Sequence, residues 1–243
     1  GLHNRVTKYI NLQPFSIKET ESFLSQKGIH LNKYQILQLY MVFGGIPHYL
    51  NHIEKGLSAA QNIDKQCFQA NGFLKNEFQN LYQALFQKAE RHEELVELLS
   101  KKATGLTRQQ LANQSSLSNG GALTKVLLEL EQSGFIQAFN PYGKKNKDKI
   151  YRLVDYYTLF YFKFILPAKN SEAGYFMTLY TSQSFKTWTG YAFENICLQH
   201  TNQIKKALGI QGVYSENYTF YQTKKQDNEG AQIDLIIDRK DGV

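Results

Sequence analysis

The chain has 243 residues, 42% apolar and 14% aromatic, which suits one large folded unit or two to three small ones and excludes a disordered or fibrous chain. Its 28 Lys and Arg against 21 Asp and Glu give a net charge of +7, which permits a polyanionic partner without requiring one. No window reaches the roughly 18 consecutive apolar residues of a membrane span, and no secretory signal is present. Two distant cysteines, Cys67 and Cys197, lack a CxxC or His/Cys context and read as buried, reduced thiols of a cytoplasmic chain, with no zinc site.

Residues 6–13, VTKYINLQ, alternate as a strand. Ser16 with Glu19 three residues on predicts a capping box, in which the hydroxyl and the carboxylate each take an orphan N–H, and Gly28 ends the helix it opens. Ile36, Leu39, Tyr40 and Phe43 recur at helical spacing; the helix breaks at Gly44-Gly45 and Pro47 begins the next. Further helices run to Phe86. From Arg91 come a helix stopped by Gly105, a short helix N-capped by Thr107, and a third with Leu123, Val126, Leu127 and Leu130 on its buried stripe. A strand, a basic turn and a second strand follow, up to Val154. Three helices and a two-stranded ribbon in that order are the winged helix-turn-helix pattern.

The aromatic stretch DYYTLFYFKFIL reads as a helix packing back on that unit, since Lys163 is its one interleaved cation and a base-stacking platform carries more. PAKNSEAG reads as a linker. One long helical region from Ser182 to Ile210 follows, with Phe193, Ile196, Cys197, His200 and Ile204 on one face; His200 reads as a satisfied core or edge histidine. Two strands around the polar turn TKKQDNEG come last, and Lys240-Asp241-Gly242 opens another turn.

Two constellations carry chemistry. Glu194 on the helix and Asp234 in the last strand are carboxylates of the kind a metal-dependent phosphodiesterase clusters around Mg²⁺, beside a lysine that steadies the attacking water or the phosphate. The third part, a strand bearing Glu-x-Lys, is expected past Val243, and the absence of an initiator Met at Gly1 suggests that more chain precedes it. The competing reading makes Glu194 a helix-surface carboxylate and Asp234 a strand-end charge. The second constellation is the wing, with Lys144, Lys145, Lys147, Lys149 and Arg152 for phosphates, and Ser118, Asn119, Thr124 and Lys125 near the start of the third helix for groove contacts. Glu129, Glu131 and Gln132 on that helix repel or ignore phosphates, so a winged helix that contacts only protein is the competing reading. No G-x-x-x-x-G-K-[ST] loop and no Ser/His/Asp or Cys/His nucleophile motif occurs, so hydrolysis of ATP by this chain alone is not expected.

The stretches GYAFENICLQH, IKKALGI and GAQIDLIIDRKDG, with LYMVFGGIPHYL and the winged helix, resemble the C-terminal part of prokaryotic AAA+/STAND-like ATPases. The resemblance spans essentially the whole chain. It implies an α+β, mainly helical fold: residues 1–13 as the last strand of the ATPase core, 14–85 as a helical lid, 86–168 as the winged helix with its following helix, and 169–243 as an incomplete restriction-endonuclease-like (PD-(D/E)XK) domain. It matches Gly45-Ile46-Pro47 to a G-x-P element near the nucleotide base and Arg5 to a nucleotide-sensing basic position. It matches Glu194 and Asp234 to nuclease-like acidic positions, with Gln232 where many relatives have Glu. The implied function is the regulatory and DNA-binding region of an ATPase, with ATP held by a P-loop domain and Mg²⁺ only in an active nuclease-like site. The implied partners are DNA and the protein's own ATPase domain, with oligomers allowed and no membrane. The alternatives are a protein-interaction module on a degenerate nuclease fold and a metal-dependent DNA nuclease.

Overall fold

The computed structural model describes residues 12–142, 149–168, 172–222 and 230–242. Within them the chain is α+β and mainly helical, with two small antiparallel sheets. The strand expected over 6–13 lies outside the described residues except for Leu12 and Gln13, which belong to no regular element.

Local sequence rules start the helices. Ser16 and Glu19 form the expected capping box at the head of α1 (Ile17–Gln26), and the Glu19 carboxylate accepts from the Ser16 N–H at 2.7 Å. The same reciprocal device, Ser58 with Gln61, opens α4 (Ala59–Cys67). Between them, α2 (Lys33–Phe43) buries Ile36, Leu39, Tyr40 and Phe43 together with Met41 and Val42. From Leu39 to Phe43 every residue of α2 is buried, and the helix touches both α1 and α4. Pro47 is the first residue of the short α3 (Pro47–Leu50). Gly45 just before it has no room for a side chain: a Cβ there meets the Phe15 carbonyl oxygen at 1.9 Å, and the Phe15 N–H donates to the Gly45 carbonyl at 2.8 Å. A single 3₁₀ turn, Phe73–Lys75, leads to α5 (Glu77–Leu85).

Next come α6 (Ala89–Ser100), the two-residue β1 (Leu106–Thr107), α7 (Arg108–Gln114), α8 (Gly121–Gln132), β2 (Ile136–Phe139) and β3 (Ile150–Leu153). The strands order as β1-β3-β2, all antiparallel, with Ile150 opposite both Thr107 and Phe139. On α8 the buried residues are Leu123, Val126, Leu127 and Leu130, the stripe read from the sequence. His92 of α6 stacks on Phe86 at 3.9 Å; its Nε2 reaches the Glu129 carboxylate at 2.9 Å and its Nδ1 the Lys88 carbonyl at 3.1 Å. Both ring nitrogens lie within hydrogen-bond reach of an acceptor, and the ring ties α6 to α8.

The aromatic stretch forms α9 (Tyr156–Phe160), capped by Asp155, and then widens into a π-helical turn over Tyr161–Ile165. Phe160, Phe164, Phe176, Phe185 and Trp188 meet largely edge to face. Phe176 belongs to α10 (Tyr175–Tyr180), Phe185 and Trp188 to α11 (Gln183–Gln199). One core therefore runs from α1 through α8 into α11. Buried Asp64 of α4 fixes this junction by accepting from the N–H groups of Gly174 and Phe176, each at 2.9 Å, and from Gln69 at 3.0 Å.

Two details differ from the sequence reading. The long C-terminal helix is interrupted at His200, so that α12 (Thr201–Ala207) is separate from α11. The inward face of α11 is Phe185, Trp188, Ala192 and Ile196, and Phe193 is 49% exposed. Both stripes recur at helical spacing, and periodicity alone does not say which meets the core. His200 is satisfied, its Nδ1 bonded to the Ile196 carbonyl at 2.9 Å and its ring edge-on to Tyr40. Last, β4 (Ser215–Gln222) pairs antiparallel with β5 (Ala231–Arg239). Phe139, Val154 and Leu198, with Leu235, join the β2–β3 ribbon to α11 and β5. Among the described residues no helix is long and apolar enough to cross a membrane.

Candidate functional site

The start of α8 carries a polar cluster on its surface. Gly120 caps the helix, and Asn119, Thr124 and Lys125 are exposed around it, as is Ser118. Arg108, the first residue of α7, organises them: its Nε donates to Asn119 Oδ1 at 2.8 Å, and one terminal nitrogen donates to the Gly120 carbonyl at 3.0 Å and the Thr124 hydroxyl at 2.9 Å. The Asn119 amide in turn donates to Gln109 at 3.0 Å. Sequence reasoning picked Asn119, Thr124 and Lys125 but missed Arg108. The residue after an N-cap threonine reads as an ordinary first-turn residue, and only the α7–α8 packing turns it inward onto this cluster. Lys125 has a side chain 72% exposed and lies 3.7 Å from Glu129, one turn on. The pairing of Thr107 with Ile150 brings Lys149 to the same end of the sheet as Arg108. Lys144, Lys145 and Lys147 lie outside the described residues, as does Arg5.

Arg152 does not face outward. It donates to the Glu194 carboxylate at 2.6 Å and to the Ala103 carbonyl at 3.0 Å, and its guanidinium lies 5.7 Å from the Phe139 ring centroid. The side chains of Arg152 and Glu194 are only 14% and 13% exposed. The residue expected to bind phosphate and the residue expected to hold a metal are thus each other's partners. They couple β3 to α11.

Glu194 and Asp234 nevertheless share one groove of about 530 Å³ between α11, α12 and β5. Asp234 is exposed there and accepts from Gln232 at 2.6 Å. Cys197 also lines the groove, half-buried rather than buried as the sequence suggested, and burial together with the Glu194 carboxylate pushes its thiol pKa up. Cys67 is fully enclosed, and burial raises its thiol further. Mg²⁺ is commonly held by one or two carboxylates with waters and a substrate phosphate, and here one of the two candidate carboxylates is already held by a guanidinium. Among the described residues no lysine lines the groove, and no group of three or more His, Cys, Asp or Glu is arranged to hold a metal ion.

Gly45 and Pro47, expected near a nucleotide, have structural work of their own: the first admits the Phe15 backbone and the second starts α3. Compared with known proteins, the chain matches no family model, no curated protein and no solved structure.

Proposed function

We propose that this chain is the DNA-engaging regulatory region of an ATP-binding protein of the AAA+/STAND-like kind, and that the start of α8 with the neighbouring end of the sheet meets the DNA. The observation that carries this reading is the cluster of Arg108, Asn119, Thr124 and Lys125 at the exposed N-terminus of the third helix of a three-helix unit flanked by a ribbon. In a helix-turn-helix protein the first residues of the recognition helix approach base edges, while cations beside them neutralise phosphates. Arg108, Lys125 and Lys149 supply such cations, and the internal hydrogen bonds of Arg108 hold its charge in place before any DNA arrives. The link to ATP rests on the resemblance alone, through Gly45-Ile46-Pro47 and the Gly230–Gly242 stretch.

The test is fluorescence anisotropy of a short labelled duplex with the chain at several salt concentrations. Three neutralised phosphates give a slope of log K against log salt near about −2.7, steeper if the lysines of the β2–β3 connection join in. Lys125→Glu with Lys149→Glu should flatten the slope and weaken binding. Equal, salt-insensitive binding by both proteins rejects the proposal.

A second reading, a protein-interaction module, is favoured by the groove between α11 and β5. There Phe193 is 49% exposed beside a carboxylate that is already paired. A nuclease at the same groove needs a further carboxylate and a lysine, and neither is among the described residues that line it.

A further inference from the structure

A separate cleft of about 530 Å³ opens between the C-terminal end of α6, β3, the π-helical turn and the first three turns of α11. Its volume falls within the range of about 300–1,000 Å³ typical of small-molecule sites. The inner wall is apolar, built from Leu99, Leu153, Leu159 and Trp188, and Tyr191 stands beside it with 52% of its surface exposed. The rim is basic. Lys101 and Lys102 come from the end of α6 and Lys163 from the π-helical turn, and among the described residues no Asp or Glu lines the cleft. Lys101 already pairs with Glu97 at 2.8 Å, and Arg152 in the wall pairs with Glu194. Lys102 and Lys163 make no ion pair among the described residues.

The way Lys163 is presented is itself informative. Tyr161, Phe164 and Ile165 are buried while Lys163 is exposed, and the stretch they share is a π-helical turn. Such turns are uncommon and recur at functional sites. The polar edge of the cleft adds Ser184 and Thr187 from α11, hydroxyls able to donate to an anion.

We infer that this cleft binds a mononucleotide, with the base against Tyr191 and the apolar wall and the phosphate between Lys102 and Lys163. The combination decides the class. A bare anion gains nothing from the apolar wall, and a neutral aromatic gains nothing from two unpaired lysines. The cleft lies apart from the α8 cluster and is independent of the DNA reading.

Trp188 is the chain's single tryptophan and forms part of the wall, so its fluorescence reports occupancy directly. The full chain is titrated with AMP and GMP to about 5 mM, with adenosine and inorganic phosphate as half-ligand controls; millimolar affinity corresponds to about −4 kcal/mol. The expected result is a saturable change with a nucleotide and a midpoint at least about tenfold weaker, or none, with each half-ligand. Lys102→Glu with Lys163→Glu, both at exposed positions, should weaken the midpoint by at least about tenfold with circular dichroism unchanged, and Tyr191→Ala should weaken it severalfold. No saturable change with either nucleotide overturns the inference. So does an unshifted midpoint in the charge-reversed variant, or phosphate alone binding as tightly as AMP.

Discussion

The Arg152–Glu194 pair separates a structural carboxylate from a metal-binding one, and replacing Glu194 with Ala tests it. Fully exposed ion pairs contribute about 0–1 kcal/mol, whereas removing one partner of a buried pair costs about 3–5 kcal/mol. At 14% and 13% exposure, with a 2.6 Å contact, this pair falls between the limits but nearer the buried one. Arg152 also cannot leave easily, because the Ala103 carbonyl and the Phe139 ring still hold it. Glu194→Ala therefore strands a guanidinium and should cost about 2–3 kcal/mol, a fall in Tm of about 4–12 °C for a chain of this size. Arg152→Ala should cost more, since it also empties the space against Phe139. The double variant should fall short of the sum by at least about 1 kcal/mol, the signature of direct coupling. Urea unfolding followed by circular dichroism reads all four proteins. The same series is repeated in Mg²⁺. A site with a Kd of about 1 mM would add about 1.4 kcal/mol at about 10 mM metal, and only where Glu194 is present. The expected result is no such gain. A coupling below about 0.5 kcal/mol, or a Mg²⁺ stabilisation lost in Glu194→Ala, would refute the reasoning.

Three further outcomes follow from the packing. Asp64→Ala removes the acceptor of the buried Phe176 N–H and the part-buried Gly174 N–H at the head of α10 and should cost about 2–3 kcal/mol by urea unfolding, with Asp64→Asn intermediate because one amide oxygen remains. Gly45→Ala drives a methyl group into the Phe15 carbonyl and should cost about 3 kcal/mol or more, with a drop in yield of folded protein. Asp155 has its carboxyl pKa raised by burial, against the opposing bonds from Thr158, so the folded state binds its proton more tightly than the unfolded state does. Its contribution to stability is thus full at pH below the unfolded value of 3.8 and is lost as pH rises through the raised folded value. Asp155→Asn keeps an oxygen for the Thr158 N–H and removes this loss. Its Tm relative to the parent should therefore rise with pH across that window, and a constant difference would count against the assignment.

What the sequence made legible was local or periodic. The capping box at Ser16, the stripe on α8 and the glycine stop before β1 each need only a few neighbouring residues, and the order of three helices and a ribbon adds up from them. Distant partners were not legible. Asp64 reads as a helix-surface acid until α10 arrives from more than 100 residues away, and the π-helical turn depends on which aromatics are already inside. The two apolar stripes of α11 are equivalent by spacing, and α2 and α9 decide between them.

The candidate sites follow the same division. Residue type assigned Glu194 to metal and Arg152 to phosphate, and each assignment is reasonable for a side chain in isolation. A charge near the surface is free for a ligand only if the fold has not already neutralised it, and these two neutralise each other. Lys102 and Lys163 invert the case. Lys102 is unmarked in the sequence and Lys163 reads there only as a lone cation in an aromatic helix, yet among the described residues the fold leaves both without an ion pair at the rim of an apolar cleft that no carboxylate lines. Binding capacity in this chain therefore depends on how firmly the fold holds each cation: the exposed Lys125, loosely placed 3.7 Å from Glu129, and the cations at the rim of the α6–α11 cleft are freer to meet a ligand than the enclosed Arg152–Glu194 pair.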